Sequence, residues 1–129
     1  MHEHEHERSA DPQTEQIIAA AIEVHRHLGP GLLESIYEEA LCHEFDLRSI
    51  PYERQKAADV VFKGRVIKGQ RIDLLVFGEV VVDIKSVRRP HEYWRAQLLS
   101  YLRSTGLIRG LVINFGMSTL KEGIQRFSL

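Results

Sequence analysis

Two short apolar segments that carry charge constrain this chain more than any other feature. They read Arg71-Ile72-Asp73-Leu74-Leu75-Val76-Phe77 and Val80-Val81-Val82-Asp83-Ile84-Lys85. Rich in β-branched residues and separated at Gly78-Glu79, they predict adjacent strands of a buried sheet. A carboxylate in such a strand is costly unless it is paired, hydrogen-bonded or bound to a metal. Asp83 and Lys85 are two apart and so share a strand face. Register decides whether Asp73 joins them. A two-residue turn at Gly78-Glu79 would set Asp73 opposite Ile84, on the other face from Asp83. A three-residue connection, Gly78 to Val80, sets Phe77 opposite Val81 and Asp73 opposite Lys85, with all three polar groups on one face. Since a one-residue slip flips every side chain, shared use of these groups demands the odd-length connection or an equivalent bulge.

The rest of the pattern surrounds those strands with helices. Asp11-Pro12 has the N-cap and first-turn residues of a helix start. Ile17, Ala21, Val24 and Leu28 form an apolar stripe that stops at Gly29-Pro30-Gly31. A second helix is expected over Leu32–Leu47, with Leu33, Ile36, Tyr37, Ala40 and Leu41 facing the core. A strand is expected over Tyr52–Phe62, continuing after Lys63-Gly64 through Arg65–Lys68. Arg88-Arg89-Pro90 breaks the sheet, His91–Thr105 reads as a helix, Leu107–Phe115 as a buried strand and Gly123–Leu129 as an edge strand. The expected order is ααβββαβ with a final β.

At 129 residues the chain suits one domain. The segment 1–10 opens Met-His-Glu-His-Glu-His-Glu and reads as an added tag or disordered N-terminus, leaving 11–129 as the folding unit. Without the three glutamates of the first seven residues, 17 basic groups face 15 acidic ones, net +2. That balance neither requires nor excludes nucleic acid as a partner. No apolar run approaches the roughly 20 residues of a membrane helix. The N-terminus lacks the basic-then-apolar pattern of a secretory signal, and the single Cys42 can form no internal disulfide. A cytoplasmic protein with no membrane association is expected.

Two acids and a lysine held together can bind a divalent cation and steer a water, as a metal-dependent phosphodiesterase site requires. Two helices supply further groups. Gln97 and Tyr101 are four apart and stack on one side of their helix. Glu34 and Tyr37 are three apart, and Glu34 in a first turn also suits the helix dipole. Taken singly, each of these has an ordinary structural explanation.

Gly31-Leu32-Leu33-Glu34-Ser35-Ile36-Tyr37 resembles the signature of the GxxExxY proteins, a family within the PD-(D/E)XK nuclease superfamily. Val24–Pro30, Arg71–Val76 and Gly110–Gly116 resemble that family too. The resemblance runs from Gln16 to Leu129. It implies an α/β (α+β) fold: a restriction-endonuclease-like αβββαβ core whose mixed sheet is flanked by helices. It implies Asp73 as the ligand of the second strand, Asp83 and Lys85 as the (D/E)XK pair, and Glu34 as the helix acid completing the metal site. Gln97 and Tyr101 are similar to the superfamily's Q-x-x-x-Y helix motif. The chain departs from the pattern in three places. Ile72 stands where the nominal proline precedes the first acid, and Asp83 where the family more often has Glu. Trp94 stands where a histidine often precedes Gln97 by three residues, and His91 reads as a surface histidine.

The implied chemistry is hydrolysis of nucleic-acid phosphodiester bonds, in DNA in preference to RNA. Asp73, Asp83, Glu34 and the Ile84 carbonyl would hold Mg²⁺ or Mn²⁺, and Lys85 would orient the attacking water. Arg71, Arg88 and Arg89 would contact the nucleic-acid backbone, with Arg95 an ordinary surface charge. The alternative is a catalytically silent module of the same fold, binding nucleic acid or assembling with a partner protein. The acting form would be a homodimer or a complex with that partner.

Overall fold

The computed structural model describes residues 11–129. The reading of 1–10 as a tag lies outside them. Helix α1 (Pro12–Leu28) starts as its sequence directs: the Asp11 side chain accepts from the Thr14 N–H at 2.8 Å, and Pro12 fills the first turn. Helix α2 is Glu34–Leu47. Strands β1 (Tyr52–Ala57), β2 (Val60–Phe62), β3 (Arg65–Ile67), β4 (Arg71–Val76) and β5 (Val80–Lys85) follow. Helix α3 (Trp94–Thr105), strand β6 (Arg109–Asn114) and strand β7 (Ile124–Ser128) complete the order.

Five strands form a mixed sheet in the order β1-β4-β5-β6-β7, parallel only between β5 and β6. Helices cover both faces. Ile17, Ala21 and Val24 of α1 and Tyr37, Leu41 and Phe45 of α2 pack against Val80, Val82 and Ile84 of β5 and Leu111 and Ile113 of β6. On the opposite face Trp94, Leu98, Tyr101 and Leu102 of α3 meet Val81 and Val112. Near-continuous apolar runs in β5 and β6 suit strands buried on both faces. This is a mixed α+β, restriction-endonuclease-like fold. A close approach sets α3 in place: a methyl group on Gly110 would come 2.9 Å from Leu98 Cδ2. No helix among the described residues is long and apolar enough to cross a membrane.

Several expected boundaries shift. The segment expected as one strand over Tyr52–Phe62 divides at Ala58-Asp59 into β1 and β2, and β2 pairs with β3 as a separate two-stranded sheet. Helix α2 begins at Glu34, and Leu33 and Ile36 are exposed instead of facing the core. Leu28, last of the α1 stripe, is 40% exposed. His91–Tyr93 form a turn ahead of α3, with the Trp94 N–H donating to the His91 carbonyl.

Candidate active site

The β4–β5 hairpin brings the three polar strand residues to one side of the sheet. Its connection has three residues, as that arrangement requires, but they are Phe77–Glu79, with Val76 opposite Val80. Continued by one step beyond the Leu74–Val82 pair, this register sets Asp73 opposite Asp83 and not opposite Lys85. The two-residue offset preserves the parity that fixes the face. Phe77 leaves the strand because its ring packs against the α1–α2 side of the core and its N–H donates to the Pro51 carbonyl. Both Phe77 (φ 59°) and Gly78 (φ 68°) adopt the left-handed conformation of a tight hairpin turn.

The ladder ends where the site begins. Beyond Leu74–Val82 the regular pairing of β4 with β5 stops, and the Ile84 N–H donates to Asp73 Oδ2 at 2.8 Å. Gln55, facing this position on β1, has φ 54° and interrupts that ladder too. Asp73 therefore satisfies a backbone donor that opening the sheet would otherwise orphan.

Asp83 is 4% exposed, and its Oδ2 has no hydrogen-bond partner among the described residues. Lys85 Nζ stands 3.4 Å from that oxygen as an ion pair, and its hydrogen bond goes to Gln97 Oε1 at 3.1 Å. The ammonium also lies 5.6 Å from the centre of the Trp94 ring. Trp94, Gln97 and Tyr101 follow helical spacing along α3, and all three face the sheet end that holds Lys85 and the two acids. Burial pushes the Asp83 carboxyl up to about 7; Lys85 opposes that rise and the neighbouring Asp73 carboxylate adds to it. Burial, then Asp83 and Asp73, likewise push the Tyr101 phenol upward.

Two carboxylates share a small space with one lysine, and one carboxylate oxygen is buried without a hydrogen bond. This is a donor set for a hard divalent cation: oxygen ligands, excess negative charge and an unsatisfied lone pair. Asp73, Asp83, Lys85, Gln97 and Tyr101 thus converge. Glu34 does not join them as a third acid. It is exposed at the start of α2, and the described residues contain no group of three or more His, Cys, Asp or Glu side chains able to hold a metal. Arg71 is exposed and donates to the Gln55 carbonyl at 3.1 Å. Arg88 and Arg89 are exposed in the loop leaving β5, and Arg88 helps line a cleft of about 510 Å³. Arg95 stands 5.7 Å from the Phe127 ring, and exposed His91 stacks on Tyr93.

The Gly-x-x-Glu-x-x-Tyr segment supports the site from the other face. Gly31 has φ 104°, a conformation L side chains rarely adopt. The buried Tyr37 hydroxyl donates to the Gly29 carbonyl and accepts from the Leu32 N–H, while its ring stacks on Phe115 at 4.5 Å. Ser86, next to Lys85, donates to the Leu32 carbonyl. The loop is thereby tied to the end of β5.

Three polar residues escaped the sequence reading. Glu38 is a buried acid held by Arg54 Nε at 3.1 Å and Gln55 Nε2 at 3.1 Å. Asn114 is buried and bridges the Val87 backbone in both directions. His25 Nε2 bonds the Met117 carbonyl at 3.0 Å. The available signal was a charged or amide group inside an apolar periodic run. All three bond to partners distant in the sequence, as groups holding the fold together do.

A family model described as the PD-(D/E)XK nuclease superfamily matches residues 11–127. No curated protein matches the chain. Among solved structures, the crystal structure of SSO0001 is 20% identical, with 88% of this chain and 75% of that one covered and a TM-score of 0.42.

Proposed function

Because the chain belongs to the PD-(D/E)XK nuclease superfamily, we propose that it is a divalent-metal-dependent nuclease working through Asp73, Asp83 and Lys85. The observation that carries this reading is the buried Asp83 Oδ2, which has no hydrogen-bond partner among the described residues while a second carboxylate and a lysine stand beside it. A purely structural ion pair would leave no such oxygen unsatisfied.

Enzymes of this superfamily generally use divalent metals, and here Mg²⁺ or Mn²⁺ would be held by Asp73, Asp83 and the Ile84 carbonyl. When bound, such an ion supplies charge neutralisation at a phosphoryl group and acidifies water. The chain's own groups do the rest. Lys85, fixed by Gln97 and Asp83, presents N–H donors to an attacking water or a phosphoryl oxygen. Gln97 positions Lys85. The Tyr101 hydroxyl, kept protonated across the physiological range, is a further donor at the cleft wall. Arg88 and Arg89 offer sequence-independent phosphate contacts. The substrate is nucleic acid, DNA in preference to RNA, and the setting is the cytoplasm.

The resemblance to GxxExxY proteins fits this reading, with Gly31 and Tyr37 as the builders of the loop behind β5 and Glu34 as an accessible acid beside it. One observation favours the silent-module alternative: only two acids, and no third, stand at the site among the described residues. Cleavage assays with Mg²⁺ or Mn²⁺ on single-stranded, duplex and branched DNA and on RNA separate the two. The nuclease reading expects turnover that an Asp83→Ala, Lys85→Ala double variant abolishes. Cleavage unchanged in that variant would discard the assignment, and metal binding without cleavage of any substrate would favour the silent module.

A further inference from the structure

The β2–β3 hairpin is the one sheet of the described residues that leaves large apolar groups in solvent. Val61, Phe62, Val66 and Ile67 are 66%, 59%, 53% and 45% exposed. Lys63, Arg65 and Lys68 alternate with them, and no acid lies between Val60 and Lys68. Lys68 pairs with Asp59 at 3.2 Å, whereas Lys63 and Arg65 at the tip have no ion-pair partner among the described residues. Phe62 and Arg65 are cross-strand partners and so share a face, and Lys63 Nζ stands 5.5 Å from the centre of the Phe62 ring. An aromatic ring is therefore framed by free positive charge.

The hairpin is rooted at the candidate site. The Ala58 N–H donates to the Gln70 carbonyl at 2.9 Å. Gln70 Nε2 donates back to the Ala58 carbonyl at 3.0 Å and to Ser100 Oγ at 3.2 Å. Ser100 precedes Tyr101 on α3, and Gln70 lies three residues before Asp73. Arms of this length reach about 13 Å from that base.

We propose that the Val60–Ile67 hairpin is a nucleic-acid contact arm on the rim of the candidate site. Phe62 stacks on an unpaired base, and Lys63 and Arg65 neutralise the flanking phosphates. The proposal rests on the nuclease reading for its choice of polyanion. Charge complementarity selects this occupant over a second copy, since two such hairpins would oppose like charges. The apolar groups also expose only roughly 300 Å², against the about 800 Å² per partner that a stable dimer buries. Stacking on an aromatic ring requires an accessible base face, so the arm favours single strands or strand openings over closed duplex.

Fluorescence anisotropy tests this on the full chain, in EDTA and again with Ca²⁺. The probes are a 20-nucleotide oligo-dT, the corresponding oligo-U and a blunt 20-base-pair duplex. Phe62→Ala should weaken single-strand binding by roughly tenfold while leaving duplex binding within about twofold. Lys63→Gln with Arg65→Gln should reduce the slope of log K against log salt by about two. All three side chains are at the surface, so thermal melts of the variants should match the parent and exclude misfolding. Wild-type protein that binds none of the probes overturns the proposal, as does single-strand affinity unaffected by Phe62→Ala. So does a parent dimer that Phe62→Ala dissociates without loss of binding, which would reassign the hairpin to self-association. Cleavage with Mn²⁺ is scored separately: an arm that binds in a protein without turnover leaves this inference standing and removes the nuclease reading.

Discussion

At Asp83 the fold holds a carboxyl whose ionisation it opposes, because burial outweighs the help of Lys85 and the nearby Asp73 carboxylate works in the same direction as burial. The sign of the pH effect follows. Between the ordinary aspartate value and about 7, folded protein keeps a proton that unfolded protein has already released. Stability must therefore fall as pH rises through that window, and the full penalty applies above it. Asp83→Asn carries no such charge. In EDTA it should be more stable than the parent at pH 8, by up to a few kcal/mol at about 1.4 kcal/mol per pKa unit, and nearly equal to it at pH 4. Urea unfolding at the two pH values measures this; a gap that does not widen with pH contradicts the assignment. The unfavourable carboxylate is intelligible if the group is kept for a cation and not for the fold.

The elements explain why some of this was legible in the sequence and some was not. Alternation along β4 and β5 exposed the shared face of Asp73, Asp83 and Lys85, since parity survives any even shift of register. Alternation could not supply the register itself, because the turn begins at Phe77 on the strength of a core contact and a bond to Pro51. The helical spacing of Gln97 and Tyr101 predicted one face, and both meet the lysine and acids there. Glu34 and the α2 stripe were less readable. Leu33 and Ile36 fit the helical period, yet the loop that Tyr37 ties to Gly29 and Leu32 turns them to solvent. Tyr37→Phe leaves the Gly29 carbonyl and Leu32 N–H without this partner and should cost about 1–3 kcal/mol. Hydrogen exchange should quicken at residues 29–33 while the amides of β5 and β6 stay protected. Unchanged stability and exchange would mean that the loop is held by something other than Tyr37.

At the scale of the molecule, an α-helical layer on each face of a mixed sheet leaves an opened hairpin end as the place where charge can gather. The β4–β5 ladder stops, Asp73 caps the free Ile84 N–H, Asp83 keeps a bare oxygen, and Lys85 is held between Gln97 and Trp94. The central claim is that this end holds a divalent cation. Anomalous diffraction from crystals soaked in Mn²⁺ tests it most directly. A manganese peak ligated by the Asp73 and Asp83 carboxylates and the Ile84 carbonyl, and missing from crystals of Asp83→Ala, is the expected result. Protein that cleaves nucleic acid with Mn²⁺ while its manganese lies away from Asp73 and Asp83 would contradict it.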